Sequence, residues 1–342
     1  MVGLEGRRRE ILRMVIDDYI LTAEPIGSES VRGRHGLGVS SATVRNEMAA
    51  LEELGYLHQP HPSAGRIPTE QAYRVYVDSM LGEEQVSTVD RARIRRTLAV
   101  TELDQAVAQA VRALAVATEC ASVAAAPDPH RQVVRHLHLI PLTAHRALIV
   151  AVTDTDVLKG QVVEFAEAMT AEECDRLSQE ISRRVAGRPL SDLTDRLLDR
   201  VIGEATLYQR VLDQVGRLLR EQILHPSARV LTEGTANILK QPEFQDVRRA
   251  QPVLSALERE DVVTDLLQGA PGPVGERVRV MIGSENRREE MRDCTVISAP
   301  YYVGDRPAGV LGIVGPTRLR YGKIISLVRF LAESLGDALS RF

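Results

Sequence analysis

The stretch SSATVRNEMAALEELGYLHQPHPSAGRIP, Ser40 to Pro68, decides the fold, because it spells a short amphipathic helix followed at once by a turn-rich hairpin. Ser40 or Ser41 is placed to accept a hydrogen bond from the free N–H groups of the helix's first turn, and Gly55 stands where a left-handed terminating residue belongs. Between them Val44, Met48, Leu51 and Leu54 recur at helical spacing and gather on one stripe that must pack against a core. At about 100° per residue, Ala42, Thr43, Arg45, Asn46 and Ala49 project away from that stripe. Two of these are alanines, which leave no bulk to hold a groove at a distance. Arg pairs with guanine O6 and N7 and Asn with adenine N6 and N7, each good pair discriminating by about 1 to 3 kcal/mol, so Arg45 and Asn46 are the candidate readers of DNA bases. An ordinary surface helix shares this composition, so the flanking elements have to decide.

Upstream, Ile11, Leu12, Val15, Ile16 and Tyr19 mark a first helix, which Glu24-Pro25 stops because the residue before proline is pushed out of helical conformation. Ser28 is the expected cap of a short second helix, SESVRGRH, and Gly36 and Gly38 supply the turn before the third. Downstream, Tyr56-Leu57 reads as a strand, HPSAGR as a tight turn around Pro62 and Gly65, and Ile67 as the return strand. Helix, helix, turn, helix, hairpin is the order of a winged helix-turn-helix. Ser63, Arg66 and the backbone near Gly65 are the candidate phosphate grips of the wing, and Ser28, Ser40, Ser41 and Thr43 complete the candidate DNA-binding set. A further helix, EQAYRVYVDSML, would pack Tyr73, Tyr76 and Val77 back onto the bundle.

The run Tyr19 to Ser28, then SSATVRNEMAALEELGYL and PSAGRIPTEQAYRVYVD, resembles the bacterial family of heat-inducible transcription repressors called HrcA. The resemblance returns at the far end, in IGSEN (Ile282 to Asn286), Cys294, Tyr301 and GVLGIVGPTRLRYGKIISLV (Gly309 to Val328). Ala72 stands where the family usually has glycine, and Pro62 where it often has threonine. The resemblance implies negative regulation of class I heat-shock operons, such as those for GroES-GroEL and DnaK. It further implies a homodimer on an inverted-repeat operator called CIRCE, release on heat stress, and modulation by the GroEL chaperonin.

The chain has 342 residues, 44% hydrophobic and 26% charged, which suits a globular protein of two or three domains. MVGLEGRRRE opens with charge rather than an apolar leader, and the apolar run LHLIPLTAHRALIVAV is broken by Pro141, His145 and Arg146. A cytoplasmic location without membrane contact is expected. Cys120, Cys174 and Cys294 are odd in number and far apart, which suits buried reduced thiols better than a disulfide frame or a zinc site. The net charge of -4 and pI near 6.1 are not the footprint of a nonspecific nucleic-acid binder. Residues 1–80 hold nine Arg against eleven Asp plus Glu. Electrostatic attraction is therefore weak, and two recognition helices acting together on paired half-sites would have to compensate.

The fold expected overall is α+β and multidomain. A winged helix-turn-helix spans 1–82, and a GAF-like antiparallel-sheet domain spans 83–188 and 256–342. A mostly helical insertion at 189–255, in the resembled family a dimerisation domain, separates its halves. Residues 88–119 read as a long helical segment carrying Ile94, Leu98, Leu103, Val107, Val111 and Leu114. Strands follow in VVRHLHLIPL, ALIVAVTD and VLKGQVVEF, then the helix EECDRLSQEISRRVAG. Strands return in RVRVMIG, CTVISAPYYV and GVLGIVGP before a closing amphipathic helix, KIISLVRFLAESLGDALSRF. Within the insertion, DRLLDRVIGEATLYQRVLDQVGRLLREQIL shows broad apolar faces that serve either its own core or a dimer contact.

His136 and His138 share one strand face, yet no Cys or carboxylate completes a ligand spacing, and Gly309, Gly312 and Gly315 lack the strand-to-helix context of a nucleotide fingerprint. No cofactor, metal or catalytic residue is expected. The alternative to a chaperone-operon repressor is a small-molecule-sensing GAF-type regulator of other genes, which would respond to a ligand at constant temperature.

Overall fold

The computed structural model describes residues 6–36, 38–82, 84–98, 103–125, 133–153, 157–165, 168–188, 230–268, 278–304 and 306–340. The head begins with α1 (Arg7–Thr22), α2 (Ser28–His35) and α3 (Ser41–Glu53), followed by β1 (Leu57–His58), β2 (Ile67–Pro68) and α4 (Glu70–Ser79). α1 ends at Ala23, which turns left-handed with φ 56° and donates its N–H to the Tyr19 carbonyl just before Glu24-Pro25. One cap expectation is corrected. Gly27 precedes α2 without any side-chain bond, and Ser28 is already its first helical residue.

Beyond the head, the segment expected to be one helix divides into α5 (Thr88–Thr97) and α6 (Leu103–Thr118). The Ser87 side chain caps α5 by accepting the Asp90 N–H, and Leu98 closes it. A five-stranded antiparallel sheet follows, built from β3 (Ala121–Ala125), β7 (Val230–Glu233), β8 (Arg279–Ile282), β9 (Cys294–Val303) and β10 (Arg306–Pro316), in the order β7-β3-β10-β9-β8. Counting only the strands of this sheet along the chain gives 2-1-5-4-3, a GAF-like arrangement. One face carries Ile297, Ala299, Tyr301, Leu311 and Ile313 against α6 and the closing helix, α10 (Tyr321–Leu339). The other face carries Val123, Val296 and Val314 against α8 (Val247–Leu257) and α9 (Glu260–Gln268). Alternate residues of each strand thus serve two separate cores, as the strand period of two demands.

The apolar core of the head is not separate from that of the sheet. Ile11, Leu12, Val44, Met48, Leu51, Tyr73 and Tyr76 belong to the same buried cluster as Tyr321, Leu327 and Leu331. Residues 1–125 and 230–342 accordingly form one compact unit, and residues 126–229 form another. The described part of the second unit is a three-stranded antiparallel sheet, β4 (Val134–Thr143), β5 (Arg146–Thr153) and β6 (Val157–Glu164), with α7 (Ala171–Val185). Thr170 and Glu173 close a reciprocal capping box at the start of α7. On its buried side, Ser182 and Ser178 accept the N–H groups of Leu137 and Leu139 at 2.9 and 2.8 Å, on the side of β4 turned away from β5.

This partition differs from the expected one. Residues 133–188 stand with the insertion rather than with the GAF-like sheet, and 230–255 stand with the sheet, because β7 pairs with β3 from Ser122 to Ala125. The long helical run expected over 195–224 lies outside the described residues. All three cysteines are buried and free. Among the described residues no helix is long and apolar enough to cross a membrane.

Candidate DNA-binding surface

α3 is fixed at both ends by its own sequence. Ser40 Oγ accepts the Thr43 N–H at 3.1 Å and also meets Thr43 Oγ1 at 2.9 Å. At the other end Gly55, with φ 80°, sends its N–H to the Glu52 carbonyl, while Tyr56 N–H reaches back to the Leu51 carbonyl, both at 2.9 Å. That pair of bonds is a Schellman closure, and the buried contact it brings is Tyr56 with Leu51. Val44, Met48 and Leu51 face the core at 1% exposure or less. Ala42, Arg45 and Asn46 are exposed on the opposite face, with Ser41, Thr43 and Ala49 beside them half-exposed. Among the described residues no side chain engages Arg45 or Asn46, so both are free to meet a groove.

α3 carries three glutamates, Glu47, Glu52 and Glu53, whose charge opposes DNA, and the structure gives two of them internal work. Glu47 Oε2 takes Arg8 Nε from α1 at 3.0 Å. Glu52 holds both legs of the wing: Oε1 accepts the Gln59 N–H at 3.0 Å, and Oε2 takes Arg66 Nε at 2.8 Å. Neither carboxylate therefore faces solvent as an unpaired charge.

The wing pairs Leu57 with Pro68 and His58 with Ile67. Ile26, on the chain just before α2, adds a third rung by exchanging two 2.9 Å backbone bonds with Arg66. Gly65 is required for that approach, since a Cβ there would stand 2.4 Å from the Ile26 carbonyl carbon. Inside the loop Gln59 Nε2 donates to the carbonyls of Pro62 and Ala64 at 3.1 and 2.9 Å, leaving His61, Pro62 and Ser63 exposed at the tip.

Two residues of the expected set are placed differently. Arg66 is not an outward grip: its side chain is 14% exposed and turned onto Glu52, so its role is to tie the wing to α3. Ser28 is buried at 8% exposure. The others, Ser40, Ser41, Thr43, Arg45, Asn46 and Ser63, are exposed or half-exposed.

Polar ties hold the head's helices together. Buried Asp18 receives Arg34 and His35 from the end of α2 at 3.4 and 3.2 Å. The Tyr76 hydroxyl donates to Asp17 at 2.5 Å, and burial, reinforced by that carboxylate, raises the phenol above its ordinary pKa. Ala72, at the position where glycine is usual, is fully buried.

Residues 4–80 match the family model described as the winged helix-turn-helix transcription repressor, HrcA DNA-binding, and residues 104–325 match the HrcA protein C terminal domain. The chain belongs to the HrcA family. It is 38% identical over 338 residues to the heat-inducible transcription repressor HrcA of Symbiobacterium thermophilum, covering 98% of each chain. With the HrcA of Moorella thermoacetica it shares 37% identity over 342 residues, covering 99% of this chain and 98% of the relative. A crystal structure described only as that of a hypothetical protein shares the fold, with a TM-score of 0.65, 23% identity and 99% of each chain covered. This HrcA-family chain is thus a heat-inducible transcription repressor whose DNA-binding part is the winged-helix head.

Proposed function

We propose that two copies of this HrcA-family repressor bind the inverted-repeat CIRCE operator of chaperone operons in the cytoplasm, that heat releases them, and that the GroEL chaperonin restores the binding-competent state. The observation that carries this reading is the face of α3. Arg45 and Asn46 are exposed and unengaged among the described residues, small alanines flank them, and Val44, Met48 and Leu51 behind them are buried. Arg45 and Asn46 read base edges in the major groove, while Ser40, Ser41, Thr43 and Ser63 contact phosphates.

Pairing of copies compensates for the head's weak charge, since helix-turn-helix proteins bind half-sites one or more turns apart. The inserted unit, residues 126–229, supplies that contact. Its sheet supports the assignment with an apolar row across three strands: Ile140 faces Leu148, which faces Val162, and Ile140 and Val162 are 47% and 41% exposed. Rows of this kind mark association surfaces.

Fluorescence anisotropy of a labelled duplex carrying the CIRCE repeat, followed across temperature with and without GroEL, tests the proposal. Loss of binding on warming and recovery with chaperonin is the expected result. Temperature-independent binding that responds only to a purified metabolite would replace it with the small-molecule sensor.

A further inference from the structure

Two motifs of the carboxyl-terminal half, IGSEN and PTRLRYGK, contain no DNA-facing residue, yet both end on the winged-helix head. Arg74 on α4 places Nε 2.7 Å from Glu285 Oε1, lays Nη2 on Glu285 Oε2, and donates from Nη2 to the Val280 carbonyl at 2.8 Å. The Glu285 carboxylate is aimed beforehand by the Ile282 N–H, 2.8 Å away. One turn earlier on α4, Glu70 Oε2 accepts both the N–H and the hydroxyl of Ser284, at 3.0 and 2.5 Å. Gly283, with φ 53°, leaves no room for a side chain, because its Cβ would lie 2.1 Å from Glu70 Oε1.

A second anchor grips the far end of the head. Arg318 Nη1 donates to the Ile20 carbonyl at 2.9 Å, and its Nε meets Glu243 at 2.6 Å. Tyr321 is the third, its ring centroid 5.7 Å from Tyr73 and 6.5 Å from Tyr76. These anchors engage two different helices of the head, α1 through Ile20 and α4 through Glu70, Tyr73, Arg74 and Tyr76. Three such anchors fix an orientation and not merely a contact.

We propose that the Arg74–Glu285 fork locks the winged-helix head to the GAF-like sheet at a set angle, so that these two residues determine which half-site spacing the repressor accepts. The inference rests on the reading of paired heads on an inverted repeat. A free head would follow each half-site as the spacer changes. A locked head cannot, because each added base pair turns a half-site by about 35° around the duplex axis. Arg74 and Glu285 act as positioning residues. They belong to α4 and to the turn after β8 rather than to α3, and the fork is planar and bidentate, which gives direction as well as attraction.

The test uses the full chain and three labelled duplexes: the CIRCE repeat, one half of it alone, and repeats with the spacer altered by one or two base pairs. For Arg74→Gln and for Glu285→Gln, affinity for the intact repeat should fall about tenfold, within the usual range of couplings between sites. The penalty for altered spacers should shrink, and half-site affinity should stay within about twofold of the parent, a residual small against that coupling. Arg74→Lys, which keeps charge without the fork, should fall between them. A thermal melt of each variant reports folding. Unchanged spacing preference in well-folded variants overturns the inference, and so does an equal loss on the half-site and the repeat. If the unsubstituted chain itself binds one half as tightly as the whole repeat, the paired-head reading fails first, and that outcome is visible before any variant is made.

Discussion

Glu52→Gln is the substitution for which elementary electrostatics and the structure predict opposite signs. Coulomb's law alone favours removing the charge: at about 10 Å from a phosphate in water, one carboxylate costs about 0.4 kcal/mol before salt screening, so its loss should tighten binding slightly. The structure says otherwise, because Glu52 accepts from both legs of the wing, the Gln59 N–H at 3.0 Å and Arg66 Nε at 2.8 Å. Glutamine keeps one carbonyl oxygen and turns an amide NH2 toward the other donor. One charge-assisted bond is lost, and Arg66, 14% exposed, is left without its counter-ion. Such a bond contributes about 1.5 to 3 kcal/mol when buried; Glu52 is itself 32% exposed, so about 1 to 2 kcal/mol is the discounted figure. That loss falls on the order of the wing. Operator affinity should drop by roughly 5- to 30-fold, and the slope of log K against log salt should become shallower by about one phosphate contact. Anisotropy titrations at four or five salt concentrations measure both. Equal or tighter binding with an unchanged slope would show that the wing needs no tie to α3.

Arg45→Ala should cost about 1 to 3 kcal/mol and flatten the preference at one base position, measured on a panel of half-sites each altered at a single pair. Gly65→Ala forces a Cβ to within 2.4 Å of the Ile26 backbone, and the displacement should lower stability by roughly 1 to 3 kcal/mol, seen as a lower melting temperature and weaker operator binding together. Burial pushes the Cys120 thiol up to about 12 from an ordinary value of 9.0, so the native chain should resist iodoacetamide at pH 8, with mass spectrometry finding modification only after denaturant is added. The same shift makes the neutral thiol's contribution to stability complete below pH 9, and it is lost as pH climbs from there toward 12.

The parts legible in the sequence are those fixed by short-range chemistry. The serine ahead of α3, the glycine after it and three members of its apolar stripe, Val44, Met48 and Leu51, are found where local spacing rules put them, whereas the fourth, Leu54, falls on the C-cap and is 39% exposed because the helix ends there. β9 and β10 were legible as well, since extended apolar runs bounded by turns leave few alternatives. β3 and β7 were not. ASVAA is buried at every position and VLTE is only four residues long, so neither shows alternation. The division of the insertion followed from that omission, because residues 230–255 join the sheet through β7. At the site, the exposure of Arg45 and Asn46 on α3 could be read from the helical period. The ties behind them could not: Glu52 and Arg66 are 14 residues apart, Arg74 and Glu285 are 211 apart, and no periodicity links such pairs. An arginine beside a glycine turn has the composition of a phosphate grip, whereas the partner of Arg66, Glu52, is chosen by the folded wing.

The two serines of α7 that bond to β4 close one edge of the three-stranded sheet. An uncovered outer strand offers its backbone as a template on which a neighbouring chain can lay down a further strand, and heat usually makes that hazard worse. Here Ser178 and Ser182 already occupy the N–H groups of Leu139 and Leu137, so recruitment along β4 has to wait until α7 peels away. Along this edge of the sheet the fold therefore carries its own guard against strand-by-strand polymerisation, for as long as α7 stays in place.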